Sequence, residues 1–497
     1  MRTTAPPPSP TSVAPDSGQL RAPYAEAVLG HARRDWLRLN VPGHAAAPGS
    51  DLADFFGARI TALDFPPLLD GIDLGPRTPL DEALALAAEA WGARRTWFLT
   101  NGASQGNQIA SMVAPALGRT LVVQRSVHSS VIDGLVLSGL DAVFVHPSVD
   151  TAQGIAHGVT AADVAAALER TPDAAAVLIV SPSYFGAVAD VRAIADTAHA
   201  AGVPLVVDEA WGSHFGFHPA LPSGALSSGA DLVTSSTHKL GGALTQSAML
   251  HLADGPFADR LEPLVDRAFR LVQSTSASSL LTASLDLARR SLVTEGDATA
   301  ASVEAADAVR RAVRAGGRFK VVSDGFRAFP DIVGVDPLRI ALDTRVGGIT
   351  GHEARRLLFR DHQVMVEVAT DAAVVAVIGA GRVPDTDRFV DALHTLPSPL
   401  AGSAAARAVL ELPAPGATRL TAREAFLSPA RVVSAEQAVG RISADTLAAY
   451  PPGIPNVLPG EVVTAEVVDF LRRTAAAPNG HVRGALDPGV TRLRVVG

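Results

Sequence analysis

Lysine is nearly absent from this chain. Of 497 residues only Lys239 and Lys320 are lysine, and arginine supplies the rest of the 42 basic residues. Lys239 stands in the polar stretch Ser235-Ser236-Thr237-His238-Lys239-Leu240-Gly241-Gly242. Its amine can do what a guanidinium cannot: lose its proton and condense with a carbonyl to an imine. A strand-like run, Pro204-Leu205-Val206-Val207-Asp208, ends in a carboxylate 31 residues upstream. The pairing points to an enzyme that holds pyridoxal phosphate (PLP). Lys239 would carry the aldehyde as a Schiff base. Asp208 would keep the pyridine nitrogen protonated, so that the ring accepts the electron pair left on a substrate Cα. A solvated lysine in a polar loop is the plainer alternative, and the motifs around it favour the cofactor.

Thr100-Asn101-Gly102-Ala103-Ser104-Gln105-Gly106 reads as a strand, a glycine-containing turn and a helix start. Free backbone N–H groups and the Ser104 hydroxyl there suit a phosphate. An imidazole at His128, after another strand-like run, could stack on a pyridine ring, although a lone histidine is more often structural, and Ala210 lies on the same side of its strand as Asp208. Ser236 and His238 flank Lys239 as phosphate-binding side chains, and Gly241 and Gly242 permit close backbone approach. The spacing Gly102-x-Ser104-x-Gly106 also spells the nucleophile elbow of an α/β-hydrolase. That rival would draw on Asp208 and on His214, His218 or His238, and it leaves Lys239 without a role. Val207-Asp208-Glu209-Ala210-Trp211 has the look of a nucleotide motor's acidic box, but neither lysine sits in a phosphate-binding loop. His214-Phe215-Gly216-Phe217-His218 lacks the glutamate of a zinc-protease helix.

These residues need elements to carry them. Strand-like runs at 96–100, 121–123, 142–145, 176–180, 204–207 and 232–233 alternate with alanine-rich helical stretches, which predicts a mainly parallel sheet covered on both faces. Ligands of such sheets sit at the carboxyl ends of the strands, where the polar residues above fall. Thr78-Pro79-Leu80-Asp81 predicts a helix start and Gly92 its end. A second α/β pattern follows residue 330, and Leu396 to Gly402 reads as a linker. The expected division is a disordered lead at 1–20, an N-terminal segment at 21–75, the cofactor-binding domain at 76–330 and a C-terminal α/β domain at 331–497. Hydrophobic residues at 47% and charged ones at 19% fit a globular protein. A net charge of −8 gives a nucleic-acid role no electrostatic support. The absence of cysteine removes disulfides, thiolate metal sites and a cysteine nucleophile. No membrane span or signal peptide is read, so the cytoplasm is the expected compartment.

Taken in order, Asn101-Gly102-x-Ser104, Arg125-x-x-His128-x-Ser130, Ser181-Pro182-x-Tyr184-x-Gly186, Asp208-Glu209-Ala210-Trp211, Ser236-Thr237-His238-Lys239 and Thr245-Gln246 resemble the major domain of the bacterial ornithine/lysine/arginine decarboxylases, which are fold-type-I PLP enzymes. Pro42-Gly43-His44 upstream, and Arg423-Glu424-Ala425-Phe426, Tyr450-Pro451-Pro452-Gly453-Ile454-Pro455 and Pro459-Gly460-Glu461 downstream, extend the resemblance over about residues 40–475. It resembles the shorter form, without an extra N-terminal domain. The resemblance implies that Lys239 anchors the aldehyde, His128 stacks on the ring, Asp208 pairs with the ring nitrogen and Ala210 packs on the other face. It further implies that Ser104, Gln105, Ser236 and His238 hold the phosphate, and that Ser274 and Thr275, in Gln273-Ser274-Thr275-Ser276, serve the neighbouring subunit's site. A homodimer with shared sites, open to further assembly, follows. The implied reaction is α-decarboxylation of a basic amino acid, with Lys239, His128 or His238 returning a proton to Cα. Glu461 and Glu367 are candidates for the basic side chain's partner. Departures occur at Ala45, where the family has lysine, at Ala103 and Gln105 in the phosphate turn, and at Ala277-Ser278-Ser279. They leave a transamination, elimination or oxidation on the same fold as the alternative.

Overall fold

The computed structural model describes residues 18–399, 412–450, 454–476 and 480–497. The disordered lead expected at 1–20 therefore lies mostly outside the described residues, as do 400–402 of the expected linker and 451–453 of the proline-rich motif.

The centre is a seven-stranded sheet of β1 (Arg95–Leu99), β2 (Thr120–Gln124), β3 (Asp141–Val145), β4 (Ala174–Val180), β5 (Leu205–Asp208), β6 (Leu232–Ser235) and β7 (Ala248–Leu252). Its order is β1-β7-β6-β5-β4-β2-β3. Neighbours from β3 to β6 pair in parallel, and β7 runs antiparallel to both β6 and β1. The sequence reading anticipated six of these strands to within a few residues. It did not register β7, which returns antiparallel to β6 after residues 236–247. Alternation along β5 explains the two-sided burial: Val206 joins a hydrophobic cluster on one face, Leu205 and Val207 a second cluster on the other.

Two helices matter for the site. The helix α1 (Pro79–Trp91) begins as the sequence predicts, with Thr78 and Asp81 forming a reciprocal capping box, and ends at left-handed Gly92. The helix α2 (Gly102–Val113) follows β1 and packs on α3 (Ser129–Ser138), which follows β2.

C-terminal to the large sheet there are two hydrophobic cores. One is built on the antiparallel strands β8 (Lys320–Val321), β9 (Arg339–Asp343), β10 (Val368–Ala369) and β11 (Ala373–Val377), and draws in Ala306, Val309 and Val313 from the preceding helix. The other spans residues 435–495. The last unit is latched to the large sheet by a buried ion pair. Arg125, at the carboxyl end of β2, donates from both terminal nitrogens to Glu461, with Nη2–Oε2 at 2.8 Å, and also to the Pro455 carbonyl. Each partner is 3% exposed. Removing one side of such a pair strands a charge in the interior, at about 3–5 kcal/mol. Glu461→Ala is therefore expected to lower the melting temperature substantially, and a thermal scan unchanged by the substitution would refute the latch.

Candidate active site

Four strand ends and one helix start meet at the carboxyl edge of the sheet. The turn after β1 opens α2, β2 leads to His128, β5 ends in Asp208, and β6 runs into Ser236–Lys239. Together they enclose a cavity of about 200 Å³ whose lining includes Ser104, His128, Asp208, Ala210, Ser236, His238 and Lys239. The side chains named from sequence are thus gathered from positions more than a hundred residues apart.

Asp208 is 3% exposed. Its Oδ1 accepts from the Ala210 N–H at 3.0 Å and its Oδ2 from Asn107 Nδ2 at 2.8 Å. The same Asn107 amide nitrogen donates to Ser130 Oγ at 3.0 Å. Ser130 Oγ lies 2.9 Å from His128 Nδ1, which also accepts from the Ser130 N–H. Nδ1 of His128 is therefore an acceptor, and in the neutral ring the proton sits on Nε2. His238 has the opposite tautomer, because its Nδ1 faces the Ser247 carbonyl at 2.8 Å and must donate. Burial lowers the pKa of both imidazoles. The Lys239 and Arg483 cations add to this at His128, while Asp208 opposes it.

Burial also pulls the Lys239 amine down to about 8, against the pull of Asp208 and Glu367 and with help from the Arg339 cation. The Lys239 Nζ sits 3.9 Å from the centroid of the Trp211 ring, so one wall of the cavity is indole. Glu209, next to Asp208, faces the interior instead. Burial raises its carboxyl to about 8, and Oε1 accepts from the Ala225 N–H at 2.8 Å.

A PLP-sized group fits these donors. The N-terminus of α2 has no side-chain cap; the Gly102 N–H donates to the Gln246 carbonyl at 2.7 Å, which leaves the Ala103 and Ser104 N–H groups beside Ser236 and His238 for an anion. Gly102 takes φ +70, a conformation that disfavours side chains. One residue expected to hold the phosphate lies elsewhere. Gln105 is buried with its amide committed to the Asn101 N–H and to Gln273, so its side chain does not line the cavity. Ser274 and Thr275 are exposed on this chain and take no part in its own cavity. Glu461 is spent on Arg125 and on the Leu458 N–H, which corrects the reading of it as a partner for a basic substrate. Glu367 is exposed and acts electrostatically on Lys239, His238 and Arg339. Among the described residues no hydrogen bond joins Ser104 to a histidine, so the hydrolase rival has no base on its nucleophile. Asn107 and Trp211 were missed as site residues. Asn107 was legible only as an asparagine one turn beyond Ser104, Trp211 as the neighbour of Ala210.

Residues 22–334 match the family described as Orn/Lys/Arg decarboxylase, major domain, and residues 403–481 its C-terminal domain. An arginine decarboxylase of Bacillus anthracis is 34% identical over 485 residues, covering 96% of this chain and 98% of that protein. The chain belongs to the Orn/Lys/Arg decarboxylase family. It is an amino-acid decarboxylase, a lyase, on the fold-type-I scaffold. The lysine decarboxylase LdcF of Francisella novicida shares the fold at TM-score 0.79 and 19% identity, over 97% of this chain and 82% of that one. A structure described as SPT with PLP internal aldimine aligns at TM-score 0.50 and 14% identity, over 76% and 83%. For this family member the Asn107 amide is the joint between Asp208 and His128. Asn107→Ala removes a hydrogen bond to a charged group, a loss of about 1.5–3 kcal/mol. Titration of visible absorbance is expected to show PLP held roughly ten- to a hundredfold more weakly; unchanged affinity would refute the role.

Proposed function

We propose that this decarboxylase removes the α-carboxylate of arginine with PLP held at Lys239. The observation that carries the reading is the meeting of Lys239 and a doubly bonded Asp208 in one cavity, in a chain 34% identical over nearly its full length to a protein named arginine decarboxylase. Bound there, PLP supplies the electron sink for the pair left on Cα when CO₂ departs.

The chain's own groups do the rest. Lys239 offers an amine that burial keeps partly unprotonated near neutral pH. Asp208, fixed by Asn107 and Ala210, would hold a proton at the pyridine nitrogen. His128 presents a neutral ring fixed by Ser130, and Ala210 is small enough to leave room opposite. Ser104, Ser236 and the Ala103 and Ser104 N–H groups would bind the phosphate, with His238 beside them. Trp211 and Tyr184 keep water from part of the cavity, which favours loss of charge from a departing carboxylate. Lys239 and the Nε2–H of His128 are the proton carriers for Cα; His238, whose Nε2 is unprotonated when neutral, would have to collect a proton first.

The reading includes a homodimer in the cytoplasm. Leu37, Leu39 and Phe55 of the N-terminal segment and Leu271 beside Ser274 are 73–88% exposed, apolar surface suited to a second copy. No described helix is long and apolar enough to cross a membrane.

Incubated with L-arginine, L-lysine and L-ornithine separately, the PLP-loaded protein is expected to yield agmatine from the first, detected by mass spectrometry, and none from Lys239→Ala. No amine from any of the three overturns the decarboxylase reading, and cadaverine or putrescine alone reassigns the substrate. The Lys239 value also sets a pH dependence. Capture of PLP by the cofactor-free chain requires the unprotonated amine, so its rate should climb about tenfold per unit below pH 8 and level off above it. A flat profile from pH 6 to 9 would refute that assignment.

A further inference from the structure

Arg339 opens β9 in the unit beyond residue 330, yet its side chain ends against the large domain. It is 1% exposed, and Nε, Nη1 and Nη2 are all buried without a hydrogen-bond partner. The carboxylate nearest in sequence makes no hydrogen bond to it: Asp336 Oδ1 is taken by His214 Nε2 and the Leu338 N–H, both at 3.0 Å, so Asp336, like Glu367, acts on the guanidinium only through its charge. The one strong contact is a stack. The guanidinium carbon lies 3.6 Å from the centroid of the Trp211 ring, the ring on which Lys239 Nζ also lies at 3.9 Å. Trp211 and Lys239 line the cavity and Arg339 does not, so the indole stands between the guanidinium and the cavity.

The route to this position is built into the backbone. A Cβ placed on Gly186 would come within 2.8 Å of Arg339 Cβ, and Gly186 has φ +86. The glycine of Ser181-Pro182-x-Tyr184-x-Gly186 is thus the gap through which the arginine passes. Folding disfavours a buried cation without a partner, and an apolar side chain of similar length would pack on an indole without that cost. The stack and the weak hydration of a guanidinium lessen the penalty without removing it. A cost retained beside a reactive amine points to work done on that amine.

We infer that Arg339 is a positioning residue for Lys239: it clamps Trp211 as the wall on which the lysine lies, and it keeps a positive charge, bound by no hydrogen bond, across that wall from the amine. The charge opposes a second positive charge on Nζ and so favours the free amine. Other groups facing Nζ act in both directions. Asp208 from β5 and Glu367 from the connection before β10 favour protonation, whereas His128 and His238 are held neutral by burial. Arg339 is the fixed cation among them. The inference rests on Lys239 as the cofactor's anchor, but its test needs neither PLP nor turnover.

The near absence of lysine makes the test direct. In the full-length chain labelled with ¹³C at lysine Cε, before cofactor loading, NMR will show two lysine signals: Lys239 and the exposed Lys320 as internal reference. In Arg339→Met the Lys239 titration midpoint is expected to rise by about one unit, roughly a tenfold change in amine availability at neutral pH, with Lys320 unmoved. Arg339→Lys, which keeps the charge, should hold Lys239 near its parent midpoint. Should the methionine variant not fold, Arg339→Gln gives the same neutral comparison. A folded neutral variant, by circular dichroism, whose Lys239 midpoint stays at the parent value overturns the inference, whatever happens to its activity. So does an Arg339→Lys midpoint that shifts as far as the neutral variant's.

Discussion

A carboxylate held at the end of a buried strand must be satisfied, and the site is organised around that requirement. Asp208 is almost wholly out of water, and an isolated charge there would be costly. The Ala210 N–H and the Asn107 amide supply its bonds, and Asn107 can do so only because α2 starts one residue past the turn after β1. The amide's second N–H reaches Ser130 and through it His128. One hydrogen-bonded chain therefore fixes Asp208 and His128, the two groups proposed to meet the cofactor's ring, from three different strand ends.

Lys239 is governed by the opposite constraint. Its neighbours make it a weaker base than a solvated lysine, through burial first and through Arg339 next. The indole of Trp211 is where the large domain and the unit beyond residue 330 meet over this amine. The two outer units thus act on the site differently. One reaches Trp211 with Arg339, while the other is latched by Arg125 and Glu461 and sets Arg483 against Ser129 at the start of α3.

Much of this was readable from the chain. Short apolar runs ending in polar residues gave the parallel sheet and its carboxyl edge, since both follow from alternation and from where strand ends must lie. Thr78, Pro79 and Gly92 marked the bounds of α1 through local capping chemistry alone. Ser104, His128, Asp208, Ala210, Ser236, His238 and Lys239 are legible in the sequence because each lies at or shortly after the end of a strand-like run. Local reading failed where a residue's partner is remote. Gln105 and Glu461 look available in sequence, and each is consumed by a side chain 168 or 336 positions away.

The sequence by itself determined the chemistry: a lone reactive lysine, an aspartate on a strand end and a family pattern that runs nearly the length of the chain. Side-chain type and period-2 burial are local properties, and they survive without knowledge of the fold. The tertiary structure decided which of many polar groups are free to act. Forty arginines are equivalent on paper; packing leaves Arg339 buried, unpartnered and stacked behind Trp211, while Arg125 is neutralised by Glu461. That difference arises from long-range contacts and desolvation, which no spacing along the chain encodes.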